Sequence, residues 1–334
     1  MDKQLRQLKT DKKAYGKLAG LLGLAAFLLL IPVIGDSYAE LFFYLLFINV
    51  ALAQSWNLLA GYTGLISLGH AAFFGIGAYT TALVMIWLKW PFFVALILGA
   101  AASMLFALIV SRPIFRLRGI YFTIGTMVLA EALRIWMINW EKTGGAQGVN
   151  LPLETALSYT TMYYIAFVLA AASVITLAVI LRSKIGMGLR AIRDNERSAR
   201  NSGVNIYRTK LTAFLISALI TGLAGGIHAE YSGTIEPYSI FSINWTLTAL
   251  VIVIVGGMGT ITGPILGAFI VGLLGEFLIH YPTIHLIILG FILIAVIRFF
   301  PGGLRGALVT LYRLLTEGRS ARKIAGNQSG ADAK

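Results

Sequence analysis

Glu131 and Arg134 stand three residues apart inside an apolar run, where ionisable groups are costly and tend to be functional. That spacing puts them on one face of a helix. Two chemistries fit: a carboxylate relaying protons for an ion-coupled carrier, or an intramembrane ion pair that neutralises both charges. Other chemistry is scarce. The four histidines, His70, His228, His280 and His285, are dispersed and cysteine is absent, so no metal-ligand spacing forms. No G-x-x-x-x-G-K-[ST] or H-E-x-x-H motif occurs; the string GGMGTITG at 256–263 lacks the lysine that would reach a phosphate. No catalytic residue is assigned. The chain moves something rather than transforming it, and the energy must come from ion coupling or from a partner.

The elements that hold these groups follow from composition. Hydrophobic residues make up 58% and charged residues 12%, with a mean hydropathy of +0.81. A soluble domain carries about 25% charged residues, so the fold class is an all-α polytopic membrane protein. Runs able to cross roughly 30 Å of hydrocarbon lie at 18–34, 41–60, 70–88, 91–110, 119–140, 162–181, 211–230, 245–256, 264–280 and 283–300. About ten transmembrane helices are therefore expected. The run after Asn244 is short, and glycine-rich interruptions near 61–69 and 256–263 predict broken or short helices. The strings GYTGLISLGHAAFFGIGAY (61–79) and GGMGTITGPILGAFIVG (256–272) resemble each other faintly. Such pairs mark either discontinuous helices around a transport path or close helix packing through small residues.

Charge sets the orientation, because cytoplasmic loops carry the excess of Lys and Arg. Residues 1–17 hold six basic side chains, 112–118 three, 182–210 eight and 298–334 seven, together 24 of 27. With ten spans and both termini cytoplasmic, only Lys89, Arg134 and Lys142 fall elsewhere. The domains expected are a basic N-terminus (1–17), a transmembrane domain (18–304) and a basic, disordered tail (305–334). The basic ends suit anionic lipid better than nucleic acid, for which no folded basic domain exists. The first run is read as a span rather than a cleaved leader, since no small-residue cleavage site follows Ile34.

One polar loop interrupts the apolar chain, residues 182–210, with eight basic residues against Asp194 and Glu196. Between residues 186 and 203 the pattern predicts a two-to-three-turn helix. Leu189, Ile192, Glu196 and Ala199 form a narrow face, Arg190, Arg193, Arg197 and Arg200 take the others, and Gly203 is a stop. This is either a rigid lever for a docked partner or an ordinary positive loop.

Asn195-Glu196-Arg197-Ser198-Ala199-Arg200-Asn201-Ser202-Gly203-Val204, followed by Tyr207-Arg208-Thr209-Lys210, resembles the coupling loop of LivM-type permease subunits of branched-chain amino acid ABC importers. So do the run Ser67 to Tyr79 (SLGHAAFFGIGAY), Thr143-Gly144-Gly145-Ala146-Gln147-Gly148 with Pro152, Gly256-Gly257-Met258-Gly259-Thr260 with Gly263-Pro264, and Pro301-Gly302-Gly303. The likeness runs in order over roughly 40–305. Against the EAA loop of other ABC permeases, Glu196-Arg197-Ser198-Ala199 replaces the second alanine.

The resemblance implies a subunit that forms half of the pathway, in a bacterial or archaeal cytoplasmic membrane. Its implied partners are a homologous LivH-type permease, two cytosolic ABC ATPases that bind the ATP and Mg, and an extracytoplasmic binding protein. Gly186, Arg190, Arg193, Glu196, Ala199 and Gly203 would then meet the ATPases. Gln54, Asn57, Ser67 and His70 are candidates to line the path, or alternatively to hydrogen-bond neighbouring helices. The loops 141–152 and 231–244 are candidates to touch the binding protein. Branched-chain or other hydrophobic amino acids are the expected substrates, since 61–79 looks nearer that branch. The alternatives are a urea or short-chain amide importer permease and an autonomous carrier using Glu131.

Overall fold

The computed structural model describes residues 27–32, 36–152, 157–277 and 303–306, with the isolated positions 23, 288, 290, 291, 294 and 298. Seven helices in it are long and apolar enough to span a bilayer: Ser37–Thr63, His70–Leu88, Phe92–Ile114, Ile120–Ile138, Tyr159–Arg182, Ile206–Ser232 and Pro237–Gly256. A shorter apolar helix, Gly263–Phe277, follows. Of the ten expected spans, 18–34 and 283–300 fall largely outside the described residues. The chain is a multi-pass membrane protein, and its described secondary structure is almost entirely helical, as expected.

In chain order the helices are α1 (Ser37–Thr63), α2 (His70–Leu83, continued by a π-helical turn Val84–Leu88), α3 (Phe92–Ile114), α4 (Ile120–Ile138) and α5 (Tyr159–Arg182). Two short helices follow, α6 (Lys184–Asp194) and α7 (Glu196–Asn201). Then come α8 (Ile206–Ser232), α9 (Pro237–Ile240), α10 (Ile243–Gly256) and α11 (Gly263–Phe277). Several spans begin earlier than the apolar runs suggest. Asn205 accepts from Arg208 N at 3.0 Å and so starts α8 at Ile206, which takes Tyr207 to Lys210 out of the loop and into the span.

The centre of the bundle is α1, packed on α5, α8, α10 and α11, while α8 also meets α2 and α3. Apolar sequence cannot choose neighbours in lipid, so small residues do it. A Cβ on Gly77 would run into the Gly222 carbonyl, and one on Gly225 into the Phe74 carbonyl. The backbones of α2 and α8 therefore touch directly. Outer helices are exposed in proportion: 22% of the most apolar window of α4 lies inside the molecule, against 67% for α1.

Each end of the bundle is stitched together. At one, β1 (Val149–Asn150) pairs antiparallel with β2 (Thr234–Ile235), and Leu151 N donates to Gly233 O at 2.7 Å. The two loops singled out in the sequence, 141–152 and 231–244, thus form one surface. At the other, Arg118 from the α3–α4 connection lines a common cavity with Arg193 and Arg197, so both internal basic segments lie at the same end.

Candidate coupling and translocation site

The helix expected over 186–203 is two helices. Asn195 adopts an extended conformation, and its Oδ1 accepts from Arg197 N (3.0 Å) and Ser198 N (3.1 Å). It is an N-cap in mid-segment, and it breaks the helix because its side chain outcompetes continuation of the backbone ladder. The pattern of small apolar residues overlooks this signal. Leu189, Ile192 and Ala199 are buried as read, but Glu196 is not part of that face. Its Oε2 instead accepts from Lys210 Nζ at 2.8 Å, which ties α7 to the first turns of α8. Gly203 closes α7 at φ 82°, a left-handed conformation that suits glycine. Gly186 admits the backbone of α5: a Cβ there would lie 2.5 Å from Ile180 O and from Leu181 Cα.

Two of the arginines do more than mark an orientation. Arg190 Nη2 donates to Leu181 O at 2.7 Å, gripping the end of α5. Arg193 Nη1 donates to Gly61 O at 2.7 Å, gripping the last turn of α1. Beside them opens a cavity of about 800 Å³ lined by Arg118, Arg193, Asp194, Glu196, Arg197 and Arg200. A second, of about 590 Å³, lies between Arg116, Gly64, Tyr207 and Lys210. The end of the bundle carrying α6 and α7 is therefore polar, basic and concave.

Behind this surface, one turn of α1 reads Gln54-Ser55-Trp56-Asn57, and its side chains bond three separate pieces of chain, Gln54 and Asn57 sharing one of them. Gln54 Nε2 donates to Ile261 O (2.7 Å). Ser55 Oγ pairs with Thr221 Oγ1 (3.0 Å) on α8. Trp56 Nε1 donates to Ser67 O (2.8 Å). Asn57 Nδ2 donates to Thr260 O (2.8 Å) while its Oδ1 accepts from Gly259 N (2.9 Å). Both glycine-rich interruptions, 64–69 and 257–262, thus hang on a single helical turn. His70 opens α2 and its Nε2 pairs with Ser217 Oγ at 3.0 Å, while Ser217 Oγ reaches Ser55 O at 2.9 Å.

The four residues expected near a path are therefore brought together, and all four are buried. The side chains of Gln54, Asn57 and His70 bond neighbouring helices and turns, while Ser67 Oγ accepts from Gly69 N within its own turn. Gln54 Oε1 and His70 Nδ1 have no partner, so the cluster is not fully satisfied. Ser55, Trp56, Ser217 and Thr221 belong to the same cluster and were missed. Four successive polar-capable residues within an apolar span were the signal, because such a turn has no side it can show to lipid.

Glu131 and Arg134 are joined as an ion pair, with Arg134 Nε donating to Glu131 Oε2 at 3.0 Å and Nη2 bonding Oε1. Unlike the buried cluster, the pair is on an outer face. The side chain of Glu131 is 49% exposed and that of Arg134 28%. The guanidinium also stands 5.3 Å from the centre of the Tyr238 ring, a cation–π contact with α9.

The chain matches the model of the family described as "Branched-chain amino acid transport system / permease component" over residues 38–297. It is 30% identical over 287 residues to the high-affinity branched-chain amino acid transport system permease protein LivM of Salmonella typhimurium, covering 77% of this chain and 67% of the relative. The corresponding LivH protein of Salmonella typhimurium is 26% identical over 270 residues, 70% of this chain and 86% of its own. The xylose transport system permease protein XylH of Escherichia coli is 32% identical over 108 residues, 30% of this chain and 28% of its own. No solved structure matches. A helical body with several membrane-spanning helices, a helix pair tied across α1, α5 and α8, and a match over most of the chain agree: the protein belongs to the family of branched-chain amino acid transport permease components, as a non-enzymatic membrane subunit of an importer.

Proposed function

We propose that this chain is the LivM-type half of an ABC importer for branched-chain or other hydrophobic amino acids. It would lie in the cytoplasmic membrane with the α6–α7 end facing the cytosol. The observation that carries this reading is the lattice of bonds around α6 and α7. Arg190 holds α5, Arg193 holds α1 and Lys210 holds Glu196, so a push on the helix pair is delivered to three spans at once. An ordinary connecting loop has no need of such bracing.

Partner ATPases seated in the basic cavities would move α6–α7 as they close on ATP and Mg. The body then opens outward to accept substrate from a binding protein resting on the β1–β2 surface, and hydrolysis resets it. The pathway lies between this subunit and its LivH-type partner. The turns 64–69 and 257–262 dip into the membrane body, since Ser67 lies level with Trp56. That is seven residues, or about 10 Å of helix axis, from the end of α1. In this reading Gln54, Asn57, Ser67 and His70 border the path as the polar seam that holds those turns, and Glu131–Arg134 stands on the face toward the partner permease.

The test is reconstitution of both permeases, both ATPases and the binding protein in proteoliposomes. ATP-dependent leucine uptake that requires every component is the expected result. Leucine uptake by this chain alone, driven by a proton gradient and lost in Glu131→Gln, would overturn it in favour of an autonomous carrier. ATP-dependent movement of urea but not of leucine would leave the importer and overturn the substrate.

A further inference from the structure

Of the acids in the described spans, Glu131 lies farthest from a helix end, yet it is half exposed on the least buried span. An ion pair held against lipid at that depth is costly, so this face of α4 looks onto something polar. Beside the pair is a cavity of about 190 Å³, walled by Met127 of α4, Tyr238 of α9, and Ser242 with Ile243 at the start of α10. It combines one positive group, one negative group and an apolar wall within a single small space. The partial positive charge at the start of α10 adds to the guanidinium on one side.

We infer that Glu131 and Arg134 form a transit site for the zwitterionic head of a free amino acid, with the apolar side chain against Met127 and Ile243. This rests on the importer reading above and names where that importer's substrate is held in this subunit.

Hydrogen-bond capacity supports it. A guanidinium carries five N–H donors and a carboxylate about four acceptor positions. The pair engages Arg134 through Nε and Nη2 and takes one bond at each Glu131 oxygen. Nη1 and the second N–H of Nη2 are not engaged by Glu131 and can receive a carboxylate, while the remaining lone pairs of Glu131 can receive an ammonium. A zwitterion adds no net charge, so the site stays neutral whether empty or filled and needs no counter-ion in a low-dielectric surround. A bare carboxylate or a bare amine would leave one charge uncompensated. The ligand is held from one wall, as a step in transit requires, and the partner permease closes the other.

The chain has no cysteine, so Met127→Cys places a single thiol of this subunit at the cavity. In the complete complex with loaded binding protein, the rate at which a thiosulfonate reagent modifies that thiol reports occupancy. L-Leucine should slow modification several-fold. Leucinamide, which lacks the carboxylate, and 4-methylpentanoate, which lacks the ammonium, should not. Without the cysteine, Arg134→Gln and Glu131→Gln should each raise the KM for leucine uptake about tenfold or more, the scale of one lost charged hydrogen bond, and Arg134→Lys should fall between. The double variant Glu131→Arg/Arg134→Glu keeps a pair but reverses its poles, and uptake should stay low. Three results overturn the site while leaving the importer standing: an unchanged KM in both single variants, full rescue by the reversed pair, or equal protection by all three probes. If the wild-type complex hydrolyses ATP but takes up no amino acid, the substrate reading falls and the site falls with it.

Discussion

Arg193 donates to the carbonyl oxygen of Gly61 at 2.7 Å, and this bond joins the short helix α6 to the last turn of the central span α1. Gly61 itself lies against the turn 257–262, for a Cβ on it would come within 2.7 Å of Gly259 N. Gly259 N in turn donates to Asn57 Oδ1. Three contacts therefore join the surface helix, the last turns of α1 and the turn between α10 and α11. Adjacency of this kind is not coupling until a variant shows that it transmits.

Arg193→Gln is the direct test of transmission. It removes a charge-assisted hydrogen bond, about 1.5–3 kcal/mol, without touching the apolar face of α6. In the purified complex, ATP hydrolysis stimulated by loaded binding protein should fall several-fold while the subunits still co-purify. Arg193→Lys should retain part of the stimulation. Full stimulation in the glutamine variant would show that α6 acts on the bundle by another route.

Glu196 and Lys210 make a second, separable prediction. Lys210 is buried and Glu196 is nearly half exposed, so the pair is partly screened. Glu196→Gln leaves an ammonium in a poor site and should lower the stability of the complex by about 1–3 kcal/mol after that discount. Glu196→Gln/Lys210→Met removes both charges and should melt close to the wild type. Stimulated ATP hydrolysis should nevertheless remain low in the double variant, because α7 is no longer tied to α8. A double variant with normal stimulation would make the bond a matter of stability alone.

Much of this was readable from residue types, and the misses share a cause. The helical membrane class, the shared end of the two internal basic segments and the burial of Leu189, Ile192 and Ala199 follow from periodicity and charge alone. The break at Asn195 does not, because a cap competes locally with a helical pattern that continues on either side of it. Likewise Gln54, Asn57, Ser67 and His70 are conspicuous as polar residues in apolar runs. Their partners are mostly backbone carbonyls and amides of distant turns, and backbone groups have no sequence signature. Arg190 and Arg193 look like orientation charges for the same reason.

Close packing at Gly77 and Gly222 gives a prediction independent of transport. A Cβ at Gly77 would meet the Gly222 carbonyl, which is backbone and cannot rotate away. Gly77→Ala must push α2 from α8 and should destabilise the subunit by about 1–3 kcal/mol or more. Gly233→Ala is the control: nothing lies within 4 Å of its Cβ, and only its φ of 66° is strained, so a smaller loss of about 1 kcal/mol is expected. Melting temperatures of the purified complex rank the two. A ranking with Gly233→Ala the worse would mean that α2 and α8 yield more easily than their backbone contact implies.

Asn57 and Trp56 allow the two interrupted segments to be released one at a time. Asn57→Leu leaves the Gly259 amide and the Thr260 carbonyl without this partner in a half-buried setting, each costing about 1 kcal/mol. Trp56→Phe keeps most of the ring volume but withdraws the donor from Ser67 O. Hydrogen exchange should therefore quicken in the peptide covering 257–262 in the first variant, and in the one covering 64–69 in the second. If the two turns act as one unit, either substitution will loosen both. If each is held by its own side chain, as the geometry has it, the effects stay separate, and leucine uptake identifies which turn the transport cycle needs held.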